Sequence, residues 1–301
     1  VSALPGKLAD GLAKWRGREP YVPWGEIWGR FGLFRPLHNL RESWAKRHPA
    51  PIVRREGDWL RVEKGPWRVY WPREYDLQPL FAVWKETLPG HPHDYFQFYE
   101  PRPGDVVFDV GACEGFFGLR VAERGGRVRL FEPAPRLAEA LSRTFAPWIA
   151  SGAARVERLA LGDAPGTCDF EVRDGSAVSG QLRDNRGSAR EESEGTDRGS
   201  RFTVTVETLD RFVRDRRIDR LDLVKMDVEG AEFRVLHGAG RTLRDLRPDL
   251  LICTYHAPED YRRAEEELVP LGYRLRHSRV VHIRHGERPH YRYALVHASC
   301  R

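Results

Sequence analysis

The residues best equipped for chemistry lie in Leu223-Val-Lys-Met-Asp-Val-Glu-Gly-Ala-Glu232, where a lysine and three carboxylates follow an apolar run. Lys225 is the only lysine after Lys85 in a chain that otherwise relies on arginine. An ammonium on a strand expected to be central and buried needs a carboxylate to offset its desolvation, and Asp109 is the expected partner. Asp227 and Glu229 would leave the end of that strand, where acids can accept a proton or hold a ligand. The competing expectation is that they only cap the helix beginning near Glu232. Cys253-Thr-Tyr-His256-Ala-Pro adds an imidazole at the next strand end, suited to act as base, donor or metal ligand. Asp227, Glu229 and His256 are therefore the candidate catalytic set. Their mixed oxygen and nitrogen donors also leave a divalent metal open.

A second cluster, Val107-Phe-Asp-Val-Gly-Ala-Cys-Glu-Gly-Phe-Phe-Gly118, reads as a strand entering a glycine-bearing turn and then a helix. Gly111 and Gly115 permit conformations and close approaches denied to other residues, and a helix start presents free N–H groups. Both dinucleotides and S-adenosylmethionine use such a turn. A dinucleotide fingerprint wants glycine where Cys113 stands, whereas Asp109 suits a cofactor bearing an ammonium. Glu132, 21 residues past Gly111, ends the next strand, where a carboxylate can take both ribose hydroxyls. Asp163 in Ala160-Leu-Gly-Asp163 closes the third strand and is expected to face an adenine amino group, or else to serve the turn before Pro165-Gly166. The candidate cofactor contacts are Asp109, Gly111, Ala112, Cys113, Gly115, Glu132, Asp163 and Asp227, the last being counted with both sites.

These residues need a scaffold that brings several strand ends to one edge. From Asp105 onward, strands predicted at 106–110, 127–132, 155–161, 222–228, 249–255 and a final pair near 273–284 and 292–298 alternate with helical stretches. That pattern predicts an α/β fold with a doubly wound, mostly parallel, seven-stranded sheet. An extended pair, CDFEVR and RFTVTV, brackets a Gly-, Ser- and charge-rich run, read as a flexible loop over 185–201. Eight of the nine tryptophans fall between Trp15 and Trp84, which marks residues 1–100 as an accessory, substrate-side region and 101–301 as the main domain. DWLRVEKGPWRVYWP predicts a hairpin around Lys64-Gly65-Pro66, and the tryptophans are expected to pack this region onto the main domain rather than stack on a ligand.

A hydrophobic share of 41% supports a sizeable core. No apolar run is long enough to span a bilayer, and the opening residues lack a signal-peptide pattern, so a cytoplasmic protein without membrane association is expected. The four cysteines are far apart in sequence and predict neither disulfides nor a zinc site. The formal charge of +6 is spread among interleaved acids, as in RDRRIDRLD, which argues against a nucleic-acid stripe. Few Asn, Gln and Met among many charges, with arginine in place of lysine, suggests a thermophilic source or else a GC-rich genome.

From about Val53 to Val296 the chain resembles the FkbM-type methyltransferase family. VVFDVGACEGFFGLRVA with LFEPAP, RLALGDAPGT and DLVKMDVEGAEFRVLHGA carry the likeness, the KxDVEGAE segment most distinctively. The resemblance implies a Rossmann-like class I methyltransferase fold, S-adenosylmethionine as cofactor with S-adenosylhomocysteine as product, and O-methylation of a sugar or small natural product. Ala112-Cys113-Glu114 departs from the family's more usual Ala-Asn followed by an apolar residue. A small-molecule or carbohydrate acceptor is the expected partner, and no motif decides for or against a homo-oligomer. Two enzymatic rivals remain: a methyltransferase for RNA ribose or other nucleic-acid positions, and a nicotinamide-dependent oxidoreductase, against which Cys113 argues. A binding module that kept the fold without activity is a third.

Overall fold

The computed structural model describes residues 51–65, 67–173, 176–183, 200–285 and 288–300. The first fifty residues, Pro66 of the expected hairpin and 185–199 of the expected loop lie outside the described residues. The described chain starts with an antiparallel meander of β1 (Ile52–Glu56), β2 (Trp59–Lys64) and β3 (Trp67–Pro72), followed by α1 (Leu77–Glu86). Asp76 caps α1 by accepting from the Gln78 N–H at 3.0 Å. Trp59, Trp71 and Trp84 are buried, and Trp67 stacks on Phe116 with centroids 4.9 Å apart. The Tyr70 N–H donates to Thr144 Oγ1 at 2.9 Å, fastening the meander to the main body. A 3-10 turn at Tyr95–Gln97, capped by Asp94, then leads into the central sheet.

That sheet contains β4 (Val106–Val110), β5 (Arg127–Phe131), β6 (Ala154–Glu157), β11 (Leu223–Met226), β12 (Asp249–Cys253), β13 (Arg274–His277) and β16 (Leu295–Ser299). Their spatial order is β13-β16-β12-β11-β4-β5-β6, parallel throughout except for β16, which runs antiparallel to both neighbours. This is the seven-stranded, mostly parallel, doubly wound sheet that the resemblance implies. Successive strand residues point to opposite faces, so Val107, Leu130, Leu223 and Leu251 enter one apolar cluster and Phe108, Phe131, Val224 and Ile252 the other. Helices α2 (Phe116–Glu123), α3 (Pro135–Thr144), α4 (Ala146–Ala150), α5 (Leu209–Asp215), α6 (Glu232–His237), α7 (Gly240–Asp245) and α8 (Asp260–Leu268) connect the strands. The order reverses between β4 and β11, and their carboxyl ends therefore flank the crevice where ligands bind in open α/β sheets.

Two expected strands divide. The run 155–161 breaks after β6, where the Leu159 N–H turns back onto the Glu157 carbonyl, and β7 (Ala160–Leu161) joins a separate sheet. That sheet, ordered β7-β10-β8-β9, contains the expected extended pair as β8 (Gly166–Arg173) and β10 (Ser200–Glu207), plus an unforeseen β9 (Ser176–Arg183). Ser200 and Arg201, expected in the loop, belong to β10. The final pair becomes four strands, since β14 (Val280–His285) and β15 (Arg288–Tyr293) form their own ribbon. Ser278 makes the corner: its N–H bonds the Leu295 carbonyl and its Oγ accepts from the Leu295 N–H. No helix among the described residues is long and apolar enough to cross a membrane.

Candidate active site

The turn after β4 is built by the protein's own packing. Gly111 has φ +77, and a Cβ there would stand 1.9 Å from the Asp227 carbonyl oxygen. Gly115, at φ +85, caps α2, and a Cβ would meet Leu141 Cδ2 at 2.7 Å. Both glycines are thus demanded by neighbouring protein atoms, whatever ligand approaches the turn. Lys225 secures the turn by donating to the Gly111 carbonyl at 2.7 Å and pairing with Asp109 Oδ1 at 3.0 Å. Burial opposes the Lys225 charge, but Asp109 and Asp227 hold its pKa above the ordinary lysine value. Asp109 is fully buried behind the turn and does not line the cavity, so the expectation that it meets a cofactor ammonium is corrected: Lys225 occupies it.

A cavity of about 460 Å³ opens at the carboxyl edge of β4, β5 and β11. Of the expected residues, Gly111, Ala112, Cys113, Glu132, Asp227 and Glu229 line it, whereas Asp109, Gly115, Asp163 and His256 do not. Glu132 accepts from the Cys113 N–H at 3.0 Å and the Ala134 N–H at 2.9 Å, which holds its carboxylate at the end of β5. Burial pushes its pKa up to about 7 against those two hydrogen bonds. Asp163 is a correction. Arg234 takes its Oδ1 through Nε at 3.1 Å and Nη2 at 3.0 Å, outside the cavity, and the apolar Leu159, Ala160 and Leu161 line the wall instead.

Cys113 has φ 44, a left-handed conformation that costs a residue with a Cβ about 1–2 kcal/mol and that asparagine tolerates better. Cys113→Asn is expected to stabilise the fold by about 0.5–1 kcal/mol, read as a higher midpoint in thermal melting. An unchanged or lower midpoint would show that contacts of the thiol outweigh the backbone term.

The second half of the site converges on Asp227. Tyr95 donates its hydroxyl to Asp227 Oδ2 at 2.9 Å, and His93 Nε2 stands 3.9 Å from the same oxygen. His93 is oriented by Glu86, whose Oε2 lies 2.8 Å from Nδ1, and its Nε2 is 3.1 Å from Cys253 Sγ. On the other side, His256 Nε2 lies 3.9 Å from Asp227 Oδ1 and 3.6 Å from Glu229 Oε2, while its Nδ1 is 3.1 Å from Glu232 Oε1. Burial alone would raise Asp227, but Lys225, His93 and His256 hold its pKa at about 2. Glu229 is pushed up to about 8 by burial and by the Asp227 charge. His256 rises to about 9, because Glu232, Asp227 and Glu229 outweigh its burial.

The expectation that Asp227 and Glu229 cap α6 is corrected as well. Fully buried Glu232 accepts from the Val228 N–H at 2.9 Å and the Gly230 N–H at 3.4 Å and so closes the turn itself. Glu86, His93, Tyr95, Glu114 and Glu232 are site residues that the sequence analysis did not select. The run His91-Pro-His-Asp-Tyr95 was the available signal, a dense set of polar side chains directly before the main domain.

A family model described as the methyltransferase FkbM domain matches residues 109–275. The 31-O-demethyl-FK506 methyltransferase FkbM of Streptomyces tacrolimicus is 33% identical over 160 residues, covering 46% of this chain and 61% of the relative. The 2-O-methyltransferase NoeI of Sinorhizobium fredii is 28% identical over 158 residues, covering 48% of this chain and 62% of the relative. The chain thus spans less than two thirds of the curated relatives it matches. A methyltransferase FkbM from Methylobacillus flagellatus, known as a crystal structure, aligns with a TM-score of 0.42 at 17% identity, covering 75% of this chain and 56% of that one. With the match running from Asp109 to Leu275, over half of its length, this chain belongs to the FkbM methyltransferase domain family.

Proposed function

We propose that the protein is an S-adenosylmethionine-dependent O-methyltransferase acting on a hydroxyl of a sugar or small natural product. The observation that carries this reading is that one cavity joins the Gly111–Gly115 turn and Glu132 to the Asp227 cluster, so that a nucleotide-type ligand and a second substrate can meet. Glu132 takes the ribose hydroxyls, and Leu159–Leu161 with Phe131 supply an apolar wall for the adenine. Glu86, His93 and Tyr95, all from the segment before β4, face the acceptor side.

Methyl transfer forms a bond from the acceptor oxygen to the methyl carbon as the sulfonium–carbon bond breaks, leaving a neutral thioether and a proton to be removed. In-line alignment supplies a large share of the rate, and proton acceptance during bond formation supplies more. Asp227, ionised at neutral pH, accepts the hydroxyl's hydrogen bond. Asp227, which lines the cavity, is the group that takes the proton as the bond forms, His256 supports its charge from outside the cavity wall, and Glu229 orients the acceptor.

Calorimetric titration with S-adenosylhomocysteine is expected to give micromolar binding and with NAD none, and methyl transfer from labelled S-adenosylmethionine to a panel of sugars and polyketides is expected to yield methyl ethers. Preference for NAD, or no binding of S-adenosylhomocysteine, would overturn the assignment.

A further inference from the structure

The His256 neighbourhood has an electrostatic arrangement that methyl transfer by itself does not explain. Its Nε2 faces two carboxylates at 3.9 Å and 3.6 Å, beyond the 2.7–3.2 Å range of an N–H···O hydrogen bond. Donor atoms bound to one ion at about 2.0–2.2 Å stand about 3–4.3 Å apart, and these distances lie within that range. His256 Nε2 and Asp227 Oδ1 are both buried and meet no hydrogen-bond partner among the described residues. Tyr95 occupies Asp227 Oδ2 through a hydrogen bond, and Glu232 Oε1 stands 3.1 Å from His256 Nδ1 as an ion-pair contact without hydrogen-bond alignment. A carboxylate on the far nitrogen of an imidazole is the usual outer support of a histidine that binds metal, because it fixes the tautomer and leaves the lone pair facing the ion.

From this geometry we infer a binding site for a first-row divalent transition-metal ion, with Asp227 Oδ1, Glu229 Oε2 and His256 Nε2 as ligands and Tyr95 and Glu232 as positioning residues. An imidazole donor favours such an ion over magnesium or calcium, which prefer oxygen alone. Three protein ligands leave coordination positions for an acceptor hydroxyl, whose proton the ion would make easier to remove. That use rests on the function proposed above, whereas the binding itself does not.

The test uses the untagged full chain, stripped with chelator and titrated with Co2+ followed by absorption of the bound ion. Wild type is expected to bind a single equivalent, with magnesium failing to compete. His256→Ala and the isosteric Glu229→Gln should each weaken Co2+ at least roughly tenfold, and Glu232→Gln roughly 10- to 100-fold. Melting curves and S-adenosylhomocysteine affinity on the same samples verify the fold. If wild type binds no Co2+, or if a folded Glu229→Gln and His256→Ala bind it as wild type does, the site is overturned. Retained S-adenosylhomocysteine binding in that case would leave the methyltransferase reading standing, and its loss in stripped wild type would count against that reading instead.

Discussion

Glu132→Ala is expected to weaken S-adenosylhomocysteine by at least about 100-fold, because hydrogen bonds to a charged partner contribute roughly 1.5–3 kcal/mol each and the proposed contact has one carboxylate serving both ribose hydroxyls. The same truncation leaves the Cys113 and Ala134 N–H groups without their acceptor, so it also lowers the melting midpoint. Glu132→Gln separates the two effects. Its single carbonyl oxygen keeps one of the two backbone donors, which bond different carboxylate oxygens, and it never ionises, so a smaller fall in the melting midpoint and a loss of affinity nearer tenfold are expected. The pH profile adds a second readout. Burial holds the Glu132 pKa up at about 7 in the free protein, and ribose hydroxyls donate best to the ionised form. Binding then releases a proton below that value, so affinity falls on acidification through pH 7 in wild type and stays flat in Glu132→Gln. Undiminished affinity in Glu132→Ala would remove Glu132 from the cofactor site.

The sheet could be read from sequence because its strands are short, mostly apolar and separated by helical periodicity, as at Val106–Val110 and Asp249–Cys253. The Lys225–Asp109 pair could be read because a lone buried lysine must find a carboxylate on an adjacent strand, and the register places Lys225 opposite Asp109. Patterning failed where one apolar run serves two sheets. Nothing in RVERLAL marks the turn at Leu159, since both halves are equally strand-like. Asp163 misled for a related reason: its place at a strand end is a backbone property, but Arg234, 71 residues on, decides where its side chain goes. His93 and Tyr95 were missed because contact with Asp227 spans 132 residues in the case of Tyr95, and such a pairing leaves no local period. Tryptophan content drew attention to the N-terminal region, yet the buried Trp59, Trp71 and Trp84 serve packing, and the polar run beside them reaches the site.

Lys225→Met is expected to cost about 3–5 kcal/mol, the usual result of removing one partner from a buried ion pair. Asp109 is left fully buried without its cation, and the Gly111 carbonyl loses its donor. The damage reaches the Gly111 turn directly, so on the proposed function S-adenosylhomocysteine affinity should fall along with stability. A simple loss of packing would not depend on pH, but this loss should. Burial already raises the Asp109 pKa, and deleting Lys225 removes the charge that opposes the rise. An acid whose folded pKa lies above its unfolded value of about 4 has its stability contribution intact below pH 4 and loses it as pH climbs through the folded value. The variant should therefore be closest to wild type near pH 5 and furthest from it near pH 8, in chemical denaturation at matched ionic strength. Adding Asp109→Asn removes the uncompensated charge, so the double variant should recover much of the stability and lose the pH dependence. A pH-independent deficit that Asp109→Asn does not relieve would mean that the Lys225 bond to Gly111, rather than its pairing with Asp109, holds the turn together.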